Sequence, residues 1–173
     1  VNFQTSVRIP GDRFAPALNS MLPRDVVVVG SEEVDKAFHA RFDAKSKLYR
    51  YTILNRKYPS ALLRNHAYFY PYELQVERMN EACKCIVGTH DFRSFCAAGS
   101  SVKSFVRTVE HVGCTRQDGL IVIDVQADGF LYNMVRIIAG TLIEVGRGKL
   151  SPDDVREILG ARDRNLAGPT APA

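Results

Sequence analysis

The sequence predicts an α+β fold in which a mixed or antiparallel sheet carries helices packed on one face. Two observations predict it. Strand signals come in pairs, the clearest pair meeting at an Asp-Gly turn, and helical segments with distinct start and stop residues are mixed among them.

In chain order, Val1 to Thr5 (VNFQT) reads as a strand and Asp12 to Ser20 as a short helix that ends before Pro23. Val26 to Val29 is a β-branched run of strand length. In residues 46–54 (SKLYRYTIL), Tyr49, Tyr51 and Ile53 alternate onto one face of a strand. Arg56 to Arg64 forms a loop around Pro59, and Tyr68 to Tyr70 a short strand leading into Pro71. Val76 to Val87 predicts a helix, with Met79, Ala82, Cys83 and Ile86 at helical spacing and Gly88 as its stop. Ser104 to Thr115 and Leu120 to Asp128 read as long strands joined through Gln117-Asp118-Gly119, a signal for a tight hairpin. A helix from about Asn133 to Val145 is apolar except for a stripe of Asn133, Arg136, Gly140 and Glu144, and Gly146-Arg147-Gly148 ends it. Ser151-Pro152-Asp153-Asp154 opens a last helix with an N-cap residue and a first-turn proline.

The 173 residues are 46% hydrophobic and 24% charged, ordinary values for a globular chain. A chain of this size buries roughly 68–70% of its unfolded surface, enough for a core without staples. With 12 glycines and 8 prolines it is neither collagen-like nor of low complexity. No apolar run approaches the ~18 residues that cross a bilayer, and VNFQTSVRIPGDRF has no apolar signal-peptide segment. These features speak against disorder, a membrane span and secretion, and for a cytoplasmic protein. Cys83, Cys85, Cys96 and Cys114 are too few and too irregular for a disulfide scaffold, form no C-x-x-C, and read as reduced, mostly buried thiols. His39, His66, His90 and His111 lack ligand spacing, so no metal site is expected. The phosphate-cradle glycine motifs and G-x-S-x-G are both missing.

Charge is localised. Between Lys36 and Arg64 stand Lys36, Arg41, Lys45, Lys47, Arg50, Arg56, Lys57 and Arg64 against Asp43 alone. That stretch carries +7 of a net +4, leaving the remainder acidic. Nine of the sixteen aromatic residues lie between Phe38 and Tyr72. Cations for phosphates and flat rings for unstacked bases suit RNA recognition. A solvated basic face over an aromatic core strand has the same composition.

Arg136 is the most informative residue. In NMVRIIAGTLIEV it must find an anion or reach solvent, because an unpaired buried charge is costly. It either pairs with Glu144 at the helix edge or holds a carboxylate ionised in a dry site. Tyr49 is either core or a presented ring. Arg41, between Phe38 and Phe42, lies in a packed connector or in a loop that inserts into nucleic acid.

FHARFDAKSKLYRYTI (38–53) and DGFLYNMVRIIAGTLIEVGRG (128–148) closely resemble the bacterial tRNA pseudouridine synthase A family, and GTHDFRSFCAAG (88–99) and ARDRNLAGPTAPA (161–173) resemble it in the same order. The resemblance implies the pseudouridine synthase fold, conversion of uridine to pseudouridine in the anticodon arm of tRNA, a homodimer, and neither cofactor nor metal. An aspartate attacks the nucleoside, the glycosidic bond breaks, and the base rotates and rejoins ribose through carbon 5, which requires the target to leave the stack. By the resemblance, Tyr49 stacks on the flipped uracil and Arg136 pairs with the catalytic aspartate. Arg41, within Phe38-His39-Ala40-Arg41-Phe42, helps expel the base. Lys57 and Tyr70 lie against the RNA, and Gly99, Ser100, Ser101, Val102 and Lys103 form a tRNA-contacting loop.

One departure stands out. The family's nucleophile lies in R-T-D-A-G-V-H, which does not occur here, and neither Asp43 nor Asp128 matches it. The expectation is therefore that residues 1–173 are the C-terminal, RNA-binding domain of the enzyme, holding half of the active site, with the nucleophile upstream and no activity alone. The competing reading is a non-catalytic RNA-binding module with a related sheet.

Overall fold

A computed structural model describes all residues from Val1 to Ala173, which divide into two compact units, Val1–Lys45 and Ser46–Ala173.

In the larger unit the strands are β1 (Lys47–Leu54), β2 (Tyr68–Phe69), β3 (Gly88–Asp91), β4 (Val106–Gln117) and β5 (Leu120–Ala127). They form one sheet of order β2-β1-β5-β4-β3. The β1–β2 pair is parallel and every other pair antiparallel, so the sheet is mixed. Gln117 pairs with Leu120 across the expected two-residue turn, where Asp118 and Gly119 both take positive φ, at 51° and 77°. That is the geometry for which Asp-Gly is selected.

Alternation decides which face is covered. Ile121, Ile123, Val125 and Ala127 of β5 are fully buried. Register places Ile53, Tyr51 and Tyr49 directly beside Ile121, Ile123 and Val125, on that same face. The helices of this unit are Val76–Ile86, Met134–Gly146 and Pro152–Ala161. The first buries Met79, Ala82, Cys83 and Ile86, and the second is buried nearly all round, as a helix sandwiched in a core must be. The third opens with the expected cap, elaborated into a box: Asp154 N–H donates to Ser151 Oγ (3.2 Å) and Ser151 N–H to Asp154 Oδ2 (2.7 Å). All four cysteines are free thiols, Cys85 alone only partly buried. Cys83 Sγ lies 3.8 Å from Cys114 Sγ, and that contact together with burial pushes the Cys114 thiol up.

Residues Gly88–Asp91 form an edge strand paired with β4, where the sequence reading saw only a helix stop. Gly88 does both: its φ of 116° ends the helix and opens the strand.

The smaller unit overturns two expected strands. Neither 1–5 nor 26–29 joins a ladder. A β-branched run states how side chains fit a pleated surface, but a strand needs a hydrogen-bonded neighbour. Side chains bridge this unit instead. Asn19 Nδ2 donates to the Val28 carbonyl (2.8 Å) and Val28 N–H to Asn19 Oδ1 (2.7 Å). Ser31 Oγ donates to the Gly11 carbonyl (2.6 Å). The expected helix is present as a 3-10 turn, Gly11–Arg13, running into α1 (Phe14–Asn19). In chain order the three helices of the larger unit are then α2, α3 and α4.

Candidate functional site

Strand β1 passes from solvent into the core along its length, and its tyrosines mark the transition. Tyr49 is 51% exposed, which sets aside a core role. Its ring stands edge-on to Phe130 at 4.9 Å, a brace that leaves a presented aromatic surface. Tyr51, two residues further in on the same face, is half-buried and donates its hydroxyl to the Pro172 carbonyl at 2.8 Å. Burial, helped by Tyr68, pushes its phenol up to about 12, while the nearby Arg136 charge pulls it down. The phenol is therefore a neutral hydrogen-bond donor across the physiological range.

Arg136 lies on α3, which packs against β1. Its Nε donates to the Ala171 carbonyl at 2.7 Å and Nη1 to Asn133 Oδ1 at 3.4 Å. Its own carbonyl accepts the Ala171 N–H at 3.0 Å. Glu144 is occupied elsewhere, by Arg147 at 3.2 Å and Lys149 at 3.7 Å, so the pairing of Arg136 with Glu144 does not form. The guanidinium is half-buried, held by backbone oxygen, and makes no ion pair with any carboxylate of the chain. Such a group is electrostatically poised for an anion.

The other carboxylates singled out in the sequence are engaged structurally. Asp43 Oδ2 accepts the His39 N–H (2.7 Å) and Asp128 Oδ1 the Thr108 N–H (3.1 Å).

Within the smaller unit, Phe38 to Phe42 fold into a turn. The N–H groups of Phe42 and Asp43 donate to the His39 carbonyl at 3.1 and 2.9 Å, and Ala40 N–H reaches Asn2 Oδ1 at 3.0 Å. His39 stacks on Phe42 with centroids 4.2 Å apart. Arg41 stays exposed, its guanidinium 5.9 Å from the Phe42 ring centre. The turn is thus hydrogen-bonded at its base and displays a cation beside exposed rings.

The remaining expected contacts differ among themselves. Lys57 is exposed, 5.3 Å over the Tyr58 ring. Gly99 turns the 99–103 segment at φ 83°. Ser101 and Lys103 are exposed there, while Ser100 and Val102 are partly covered. Tyr70, expected against the RNA, is 8% exposed and packs in the core cluster. Asn55 Nδ2 donates to the carbonyls of Tyr70 (2.9 Å) and Tyr72 (2.7 Å) and pins that segment inward.

Sequence reasoning missed Tyr51 and the 168–173 segment as neighbours of Arg136. The alternation that displays Tyr49 also places Tyr51, but its bond to a residue 121 positions away has no local signature.

No group of three or more His, Cys, Asp or Glu side chains is placed to hold a metal ion, and no helix is long and apolar enough to cross a membrane. A family model described as tRNA pseudouridine synthase matches residues 82–173. Over 172 residues the chain is 52% identical to the tRNA pseudouridine synthase A of Acetivibrio thermocellus, covering 99% of this chain and 70% of that one. It is 50% identical over 171 residues to tRNA pseudouridine synthase A 2 of Clostridium perfringens, and 47% identical over 172 to tRNA pseudouridine synthase A of Bacillus subtilis, with the same coverage.

Proposed function

Because this chain belongs to the tRNA pseudouridine synthase family, we propose that it isomerises uridine to pseudouridine in the anticodon arm of tRNA, with Arg136 and Tyr49 as its catalytic residues. The observation that supports this most is the half-buried guanidinium of Arg136, held by a backbone carbonyl and paired with no carboxylate of the chain.

In this reading Arg136 pairs with the nucleophilic aspartate. A fixed positive charge lowers that carboxyl's pKa, so the attacking oxygen is ionised at neutral pH. Tyr49 supplies a flat ring for the flipped uracil. Arg41, on its turn between Phe38 and Phe42, fills the space the base leaves. Lys57 and the 99–103 loop bind phosphates through charge and backbone donors. By the family resemblance the aspartate belongs to an R-T-D-A-G-V-H segment, which does not occur in these 173 residues, and in this reading they do not turn over alone. The enzyme works in the cytoplasm as a homodimer, without metal or cofactor.

The test is pseudouridine formation on an unmodified tRNA transcript, measured for these residues alone and joined to an aspartate-bearing segment. Activity only in the joined form supports the reading. Failure of the joined form, with tRNA binding retained, would assign the chain to a non-catalytic RNA-binding module.

A further inference from the structure

Residues 168–173 have no regular secondary structure, yet they lie along α3 as a strap. The strap runs antiparallel to the helix, from Thr141 back to Arg136 and on to β1. Gly168 N–H donates to Thr141 Oγ1 at 3.0 Å. Ala171 exchanges two bonds with Arg136, N–H to the main-chain carbonyl at 3.0 Å and carbonyl to Nε at 2.7 Å. Pro172 accepts the Tyr51 hydroxyl at 2.8 Å. Arg164 ties the near end, donating to the Gly168 carbonyl (3.0 Å) and Thr170 Oγ1 (3.2 Å).

Two glycines permit this approach. A Cβ at Gly140 would overlap the Pro169 carbonyl oxygen, and one at Gly168 would come within 2.6 Å of Thr141 Cα. Both obstacles are backbone, which cannot swing aside.

A long arginine side chain samples many rotamers, and productive pairing with a carboxylate needs few of them. We infer that the strap aims Arg136: the Ala171 carbonyl fixes Nε and leaves the far end of the guanidinium for the carboxylate, with Tyr51, Gly140, Thr141, Arg164 and Gly168 as positioning residues acting through the strap. This rests on the reading of Arg136 as the partner of the nucleophile.

Gly140→Ala would disturb the strap most but endangers the fold, so the decisive variants are Tyr51→Phe and Arg164→Ala, each of which removes strap bonds at its edge. In the 173-residue chain, nitrogen-detected NMR follows exchange of the Arg136 Nε–H with solvent. The expected result is exchange accelerated roughly tenfold or more in both variants, since opening of a tethered group controls exchange. In the active, aspartate-bearing enzyme the same variants should lose about 10- to 100-fold in single-turnover rate, the scale of an ångström's misplacement, with the tRNA Kd unchanged. Ile158→Val, in the α4 core, serves as a control for a merely structural loss of Tm and keeps its rate. Wild-type exchange and rate in Tyr51→Phe and Arg164→Ala, alongside an inactive Arg136→Ala, would overturn the aiming role alone. A fully active Arg136→Ala would overturn the underlying reading and the aiming role with it.

Discussion

Residues 46–173 and residues 1–45 treat similar apolar sequence in opposite ways. In the larger unit, β-branched residues such as Ile121, Ile123 and Val125 sit in a central strand, flanked by β1 and β4 and covered by helices. In the smaller unit Val27 and Val29, from an equally β-branched run, are exposed, and Ala15 is its only buried apolar residue. The difference lies not in propensity but in partners: a strand is a pair property, and its hydrophobic gain requires a ladder and a covering layer. The candidate site groups divide the same way. Tyr49 and Arg136 stand on elements locked into a core, whereas Arg41 stands on a turn held by a handful of hydrogen bonds.

The largest expected effect separates chemistry from packing. Arg136→Ala in the active enzyme should lower turnover by about 10²–10³-fold, as loss of a preorganised electrostatic donor does, while tRNA affinity in filter binding changes little. Near-wild-type turnover would return Arg136 to a structural role. Next comes core against surface: Leu142→Ala should cost about 2–5 kcal/mol in urea unfolding, whereas Val29→Ala should stay within about 0.5 kcal/mol. Equal costs at both positions would mean that the smaller unit has a core of its own.

Smaller effects sharpen the RNA side of the comparison. Arg41→Ala and Lys57→Ala should each weaken tRNA binding and reduce the slope of log Kd against log salt by about one phosphate's worth. Unchanged slopes would place those cations off the RNA path. The smallest effect concerns the open sheet face, where Arg50 grips Asp124 through two 2.8 Å bonds. The hydrogen bond from Arg50 holds the Asp124 carboxyl below the usual carboxylate range. A depressed folded-state pKa gives stability that is present above the unfolded value and lost as pH falls through the folded one. Arg50→Met should therefore lower Tm slightly at neutral pH and leave it unchanged at low pH, where Asp124 is protonated, so the acid limb of the Tm–pH curve flattens; an unaltered acid limb would show that the pair contributes nothing measurable.

Local rules read true where one residue's conformation decides the outcome. Asp118-Gly119 closes the hairpin because both positions need positive φ, and Ser151 with Asp154 starts α4 because orphan N–H groups need acceptors. The one-faced alternation of Tyr49, Tyr51 and Ile53 was equally legible, as was the stripe that isolates Arg136 on an apolar helix. The burial of Tyr70 was not legible: its backbone carbonyl accepts a bond from Asn55, fifteen residues away, and no local pattern announces that contact.

By itself the sequence determined the helices, the residues that share one face of β1, the hairpin, the last helix start and the motifs that mark the family, since each is written within a few turns or alternations of one segment. Only the tertiary structure decided that Gly88–Asp91 becomes an edge strand, that 1–5 and 26–29 do not pair, and that Arg136 is held by Ala171 rather than Glu144. Those outcomes depend on which distant backbone arrives alongside, and a hydrogen bond across 35 or 121 residues leaves no periodicity in the chain that makes it.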